Sequence, residues 1–113
     1  MILLFATLAC ISPAHACKKG EILIWINNDK GYRGLQKVGA AFTRKTGIPV
    51  RVETPDDATN AFDAAMKNHN GPDIWIWPHD RIGDWVGKNY LSPISPSPAL
   101  QSQIVQLAWD GFT

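Results

Sequence analysis

An α/β fold with a parallel sheet is what this sequence predicts, on three observations. Short runs of β-forming apolar residues recur at "EILIWIN", "IPVRVE" and "DIWIW". Stretches with helical apolar spacing lie between them. Each change of element is marked by glycine, proline or a cluster of asparagine and aspartate. Strand–helix–strand alternation places successive strands side by side and parallel, because the crossover through a helix is right-handed and returns the chain to the same sheet.

The elements follow in order. Glu21 to Asn27 is a short apolar β-forming run that breaks at Asn28-Asp29-Lys30-Gly31. Leu35, Val38 and Phe42 then recur on one helical face, so Tyr32 to Lys45 is an amphipathic helix. Thr46-Gly47 stops it, with glycine at the position that favours a left-handed backbone. "IPVRVE" alternates apolar and polar residues, as a half-exposed strand does. Asp56-Asp57 are cap residues for a second helix in which Phe62, Ala65 and Met66 share a face. Asn70-Gly71-Pro72 is a turn. "DIWIW" then places apolar residues on both faces, which predicts a strand buried on both sides. A short helix is expected from Arg81 to Gly87, a proline-rich connection over Ser92–Pro98, and helix again from Ala99 to Trp109.

A chain of 113 residues is one domain at most. Its net charge of +1 gives no attraction for a polyanion, so no nucleic-acid partner is expected. "MILLFATLACISPAHA" holds no Asp, Glu, Lys or Arg, opens with an apolar run and ends in small-x-small at Ala14-His15-Ala16. This is the pattern of a secretory signal, residues 1–16, too short and interrupted to span a bilayer. The mature chain would begin at Cys17, leaving a single cysteine and no internal disulfide.

The parallel topology gives meaning to two loops. Asn27 to Lys30 and Trp77 to Arg81 both lie just past the carboxyl ends of strands, where ligands bind in open α/β sheets. Asp29 with Lys30 and Asp80 with Arg81 are two acid–base pairs, and carboxylates and guanidinium groups hydrogen-bond vicinal hydroxyls. Trp77 is either a core residue or an apolar platform for the C–H face of a sugar ring. Together these five residues make a polyol-recognition set. Asp29 and Asp80 also admit a glycosidase reading, but each stands beside a cation in sequence, which opposes the raised carboxyl needed for general acid work. The histidines show no metal-ligand spacing, no phosphate-binding glycine loop or nucleophile motif is present, and no cofactor is expected.

From about Gly20 to Phe112 the sequence resembles the N-terminal lobe of the periplasmic maltose/maltodextrin-binding proteins. The resemblance is carried by "IWINNDKGYRGL", "VGAAFTRKTGIPVRVETPD", "GPDIWIWPHDRIGDW" and "LAWDGF". It implies the parallel-sheet N-terminal lobe of a two-lobed binding protein, incomplete over residues 17–113. It also implies sugar contacts from Asp29, Lys30, Trp77, Asp80 and Arg81, and non-covalent capture of maltose or maltooligosaccharide in the periplasm. The implied partner is an inner-membrane ABC importer permease, and the implied state is a monomer without enzymatic activity. One departure is that an acidic residue which the family carries early in the second helix falls on Thr59 here. Beside this reading stand a non-binding remnant of a truncated gene and, more distantly, a glycosidase-like enzyme.

Overall fold

The computed structural model describes residues 19–111. The expected export signal over residues 1–16, Cys10 and the Cys17 start lie outside the described residues.

The described chain runs β1 (Ile22–Ile26), α1 (Tyr32–Thr46), β2 (Val50–Glu53), α2 (Ala58–Lys67) and β3 (Ile74–Ile76). A single 3-10 turn, His79–Arg81, leads into α3 (Ile82–Gly87), and α4 (Pro98–Gln101) and α5 (Gln106–Asp110) follow. The three strands form one parallel sheet in the order β2-β1-β3. The expected α/β architecture is therefore present, with β1 in the centre because its residues are the most continuously apolar.

Register sorts the strand side chains into two faces. Ile24 lies beside Val52 and Ile74, and Ile26 beside Ile76, so the isoleucines and valines share one side. On that side Ile24, Ile26 and Val52 are buried with Tyr32 and Leu35 of α1 packed against them. Leu23, Trp25 and Trp75 point the other way, into a cluster with Phe62 of α2 and Trp85 of α3. The start of β3 is pinned by its own side chain. The Leu23 N–H donates to Asp73 Oδ2 at 2.8 Å while the Asp73 N–H donates to the Leu23 carbonyl at 2.9 Å. On the outer strand, Arg51 donates to Glu21 and Glu53, and Trp25 Nε1 donates to Glu53 Oε2 at 3.1 Å. This charged ladder occupies an edge strand, where it discourages pairing with another chain.

Helix α1 leans over β2, and Gly39 is what permits the close approach. A Cβ at Gly39 would lie 2.8 Å from Val50 Cγ1. Val50 is β-branched and cannot turn aside easily. Gly39→Val should therefore destabilise the chain by about 1–3 kcal/mol despite a better helix former than glycine. Adding Val50→Ala should recover part of that loss, read as the urea midpoint. Equal midpoints for Gly39→Val with and without Val50→Ala would remove the contact from the account.

Several expectations are corrected. β3 is not buried on both sides: Ile74 and Ile76 are 45% and 37% exposed, and β3 is an edge strand. Because α1 sits toward β2, no described element covers the isoleucine side of β3. The helix expected from Ala99 to Trp109 is broken into α4 and α5, with Val105 extended at ψ 143°. Ile104, Val105 and Leu107 are exposed there, so packing does not hold a continuous helix together against its nucleation cost. Asp57 occupies the N-cap position of α2, but in a left-handed conformation (φ 46°, ψ 53°), and its carboxylate accepts from Asn60 Nδ2 at 2.8 Å instead of capping the backbone. At the end of α1, Gly47 does what was expected: φ is 77° and its N–H donates to the Thr43 carbonyl at 2.8 Å.

Candidate functional site

The two loops singled out in the sequence lie at the same end of the sheet. β1 and β3 are neighbours, and Ile26 pairs with Ile76 at their carboxyl ends. The chain leaving Ile26 runs into Asn27–Lys30, and the chain leaving Ile76 runs into Trp77–Arg81. Parallel pairing thus places Asp29, Lys30, Trp77, Asp80 and Arg81 at the same end of the sheet.

Their local geometry is uneven. Asp29 and Lys30 form an ion pair at 3.0 Å, with side chains 65% and 54% exposed. A turn held by the Lys30 N–H on the Asn27 carbonyl (3.1 Å) presents them to solvent. Gly31 follows with φ 87°, a conformation suited to glycine, and opens α1. A hollow of about 260 Å³ beside this turn is lined by Asn28, Gly31, Tyr32, Arg33 and Gly34.

Asp80 and Arg81 do not form the acid–base pair expected of them. The 3-10 turn directs Arg81 along the start of α3, and its Nη2 donates to Asp84 Oδ2 at 3.2 Å. The Arg81 guanidinium also lies 5.6 Å from the centre of the Trp85 ring. The Asp80 side chain is exposed and makes no ion pair with Arg81. The spacing Arg81, Asp84, Lys88 is the helical i,i+3 and i,i+4 pattern, and that was the signal in the sequence for this pairing.

Trp77 is in part a core residue. It is half-buried, and its ring lies parallel to Trp75 with centroids 5.0 Å apart. Trp75 stacks in turn on Phe62 at 4.9 Å. One face of the Trp77 indole is therefore committed to the core column, and only the opposite face is open to a ligand. A hollow of about 1580 Å³ lies beside Trp77. Trp77, Trp75, Trp85 and the proline-rich segment line it, but Asp29, Lys30, Asp80 and Arg81 do not. It is an apolar space, unlike the polar rim.

A circuit of charges braces α3 against α2. Lys88 Nζ donates to Asp84 Oδ2 at 2.8 Å and to Asp63 Oδ2 at 3.4 Å, and Trp85 Nε1 donates to Asp63 Oδ1 at 3.2 Å. The hydrogen bond from Lys88, then that from Arg81, holds the Asp84 carboxyl below its ordinary value. The bond to Asp84 raises Lys88 above its ordinary value. The pair thus contributes fully at neutral pH. Its contribution fades as pH falls through the lowered Asp84 value, and again as pH rises through the raised Lys88 value. Among the described residues no group of three or more His, Cys, Asp or Glu side chains could hold a metal ion.

A family model, bacterial extracellular solute-binding protein, matches residues 26–112. This chain belongs to the bacterial extracellular solute-binding proteins, an assignment the parallel sheet and its strand-end rim accord with. It is 50% identical over 52 residues to a maltose-binding periplasmic protein of Photorhabdus luminescens, covering 45% of this chain and 71% of that one. It is 29% identical over 80 residues to a maltotriose-binding protein of Pyrococcus abyssi, covering 69% of this chain and 18% of that one. A maltooligosaccharide ABC transporter solute-binding lipoprotein of Streptococcus pneumoniae serotype 4 is 26% identical over 80 residues. Again the match spans 18% of the relative's length. The names of the first two relatives state binding of maltose and of maltotriose, and that of the third a solute-binding lipoprotein of a maltooligosaccharide ABC transporter.

Proposed function

We propose that this chain supplies one wall of a maltooligosaccharide-binding site and serves sugar uptake, without chemical turnover. The observation that carries the proposal is the parallel pairing of β1 with β3, which brings the loops bearing Asp29, Lys30, Trp77, Asp80 and Arg81 to the same end of the sheet. The names of the relatives support the choice of ligand. In this reading Asp29, Lys30, Asp80 and Arg81 hydrogen-bond sugar hydroxyls, and the free face of Trp77 covers the C–H side of a ring. The loaded protein, a monomer exported to the periplasm after cleavage before Cys17, hands its sugar to the permease of an ABC importer.

The geometry bounds the affinity. A hydrogen bond to a charged group contributes about 1.5–3 kcal/mol when desolvated, and less at a rim this exposed. Immobilising the sugar costs at least about 4 kcal/mol. A few such bonds and one ring contact leave a dissociation constant of about 1 mM or weaker, near −4 kcal/mol. The test is a maltotriose titration followed by nuclear magnetic resonance of the backbone and indole signals. Saturable shifts at Asp29, Lys30, Trp77, Asp80 and Arg81, with an affinity in that range, are the expected outcome. Shifts confined to other surfaces, or none up to saturating sugar, would overturn the proposal.

A further inference from the structure

Arg81 is held in a closed circuit. Its Nη2 donates to Asp84, Asp84 accepts from Lys88, Lys88 reaches Asp63, and Asp63 accepts the indole N–H of Trp85. The ring of that same Trp85 lies under the Arg81 guanidinium. Trp85 is 2% exposed and packs on Phe62, so the circuit is anchored in the core although its charged members lie near solvent. Only one donor of the guanidinium is used by Asp84, and the Arg81 side chain remains 40% exposed.

We infer that Asp84, backed by Lys88 and Asp63, is a positioning residue that holds the Arg81 guanidinium over Trp85 with its remaining donors free for a polyol. The inference rests on the sugar-binding reading of the rim. Isolated exposed ion pairs do little for stability. Here the consequence lies in binding, because an arginine fixed beforehand loses less rotamer freedom when a ligand arrives. Without Asp84 the long side chain must be ordered at the moment of binding.

The experiment uses the whole chain and three variants, Asp84→Asn, Asp84→Glu and Lys88→Met. The readouts are Arg81 Nε–H order by heteronuclear relaxation and the maltotriose dissociation constant by titration. The Trp85 indole signal reports the fold. In Asp84→Asn the Arg81 signal should become mobile and binding should weaken by about threefold to tenfold, the cost of ordering one long side chain. Asp84→Glu should restore both in large part, which loss of a merely structural residue would not do. Should Asp84→Asn lose the indole signal by unfolding, Lys88→Met decides: it leaves the partner of Arg81 in place and should produce a smaller change in the same direction. An Arg81 as ordered in these variants as in the parent, or a freed Arg81 with unchanged affinity, overturns the inference. A parent chain in which Arg81 is ordered but no rim signal answers to maltotriose overturns the sugar reading instead, while an Arg81 freed by Asp84→Asn in that same experiment still shows what holds it.

Discussion

Phe62→Ala is expected to abolish cooperative unfolding of this chain. Phe62 is 1% exposed and sits where α2 meets the sheet. It stacks on Trp75 at 4.9 Å and meets Trp85 and Tyr90 edge-on at 5.0 and 6.2 Å. Truncation removes the shared partner of three rings, and the flat column Phe62–Trp75–Trp77 cannot close over the gap without tilting Trp75 off β3. Large-to-small changes at such positions cost about 3–5 kcal/mol. Domains rarely hold more than about 5–15 kcal/mol in total, and this one leaves apolar side chains such as Ile74, Phe42 and Val38 partly in water. In urea, followed by tryptophan fluorescence, the parent should show a transition and Phe62→Ala a sloping baseline. Phe62→Leu, which keeps most of the volume, should retain a transition at a lower midpoint. A sharp Phe62→Ala transition at the parental midpoint would show that the aromatic cluster does not hold the sheet.

Trp77→Ala should weaken maltotriose binding at least about tenfold, a loss of ~1.4 kcal/mol. Two effects are mixed in that substitution. The open indole face that covers the sugar is lost, and so is the stacking partner of Trp75. Asp80→Ala separates them. The Asp80 carboxylate is exposed and outside the Arg81–Asp84 pair, so its removal leaves packing alone and acts on the ligand only. A similar loss is expected for it, with an unchanged urea midpoint. If both variants bind maltotriose as the parent does, Trp77 is a core residue and the loop after it a solvated turn.

Much of this could be read before any coordinates. Although of the α1 face read as Leu35, Val38 and Phe42 only Leu35 packs on the core while Val38 and Phe42 are exposed, Phe62 identifies the inner face of α2, Gly47 ends α1, and the alternation of elements implies a parallel sheet. These are local properties: periodicity, backbone preference and the handedness of a crossover act over a few neighbouring residues. The end of the sheet at which these residues fall follows from the same source, because Asp29 and Asp80 trail strands that run parallel.

What the sequence by itself determined is therefore the fold class and the end of the sheet at which polar residues gather. The tertiary structure alone decided which groups are bonded there and which faces are covered. Adjacent Asp80 and Arg81 suggested a pair, yet the turn of a 3-10 helix carries Arg81 toward Asp84, one helical step along α3. Apolar residues on both sides of β3 suggested burial. The close approach of Gly39 to Val50 sets α1 over β2 instead and leaves Ile74 and Ile76 in part exposed. In both cases the outcome depends on where a whole helix lies, and that is fixed by contacts between residues far apart in the chain, which no local pattern records.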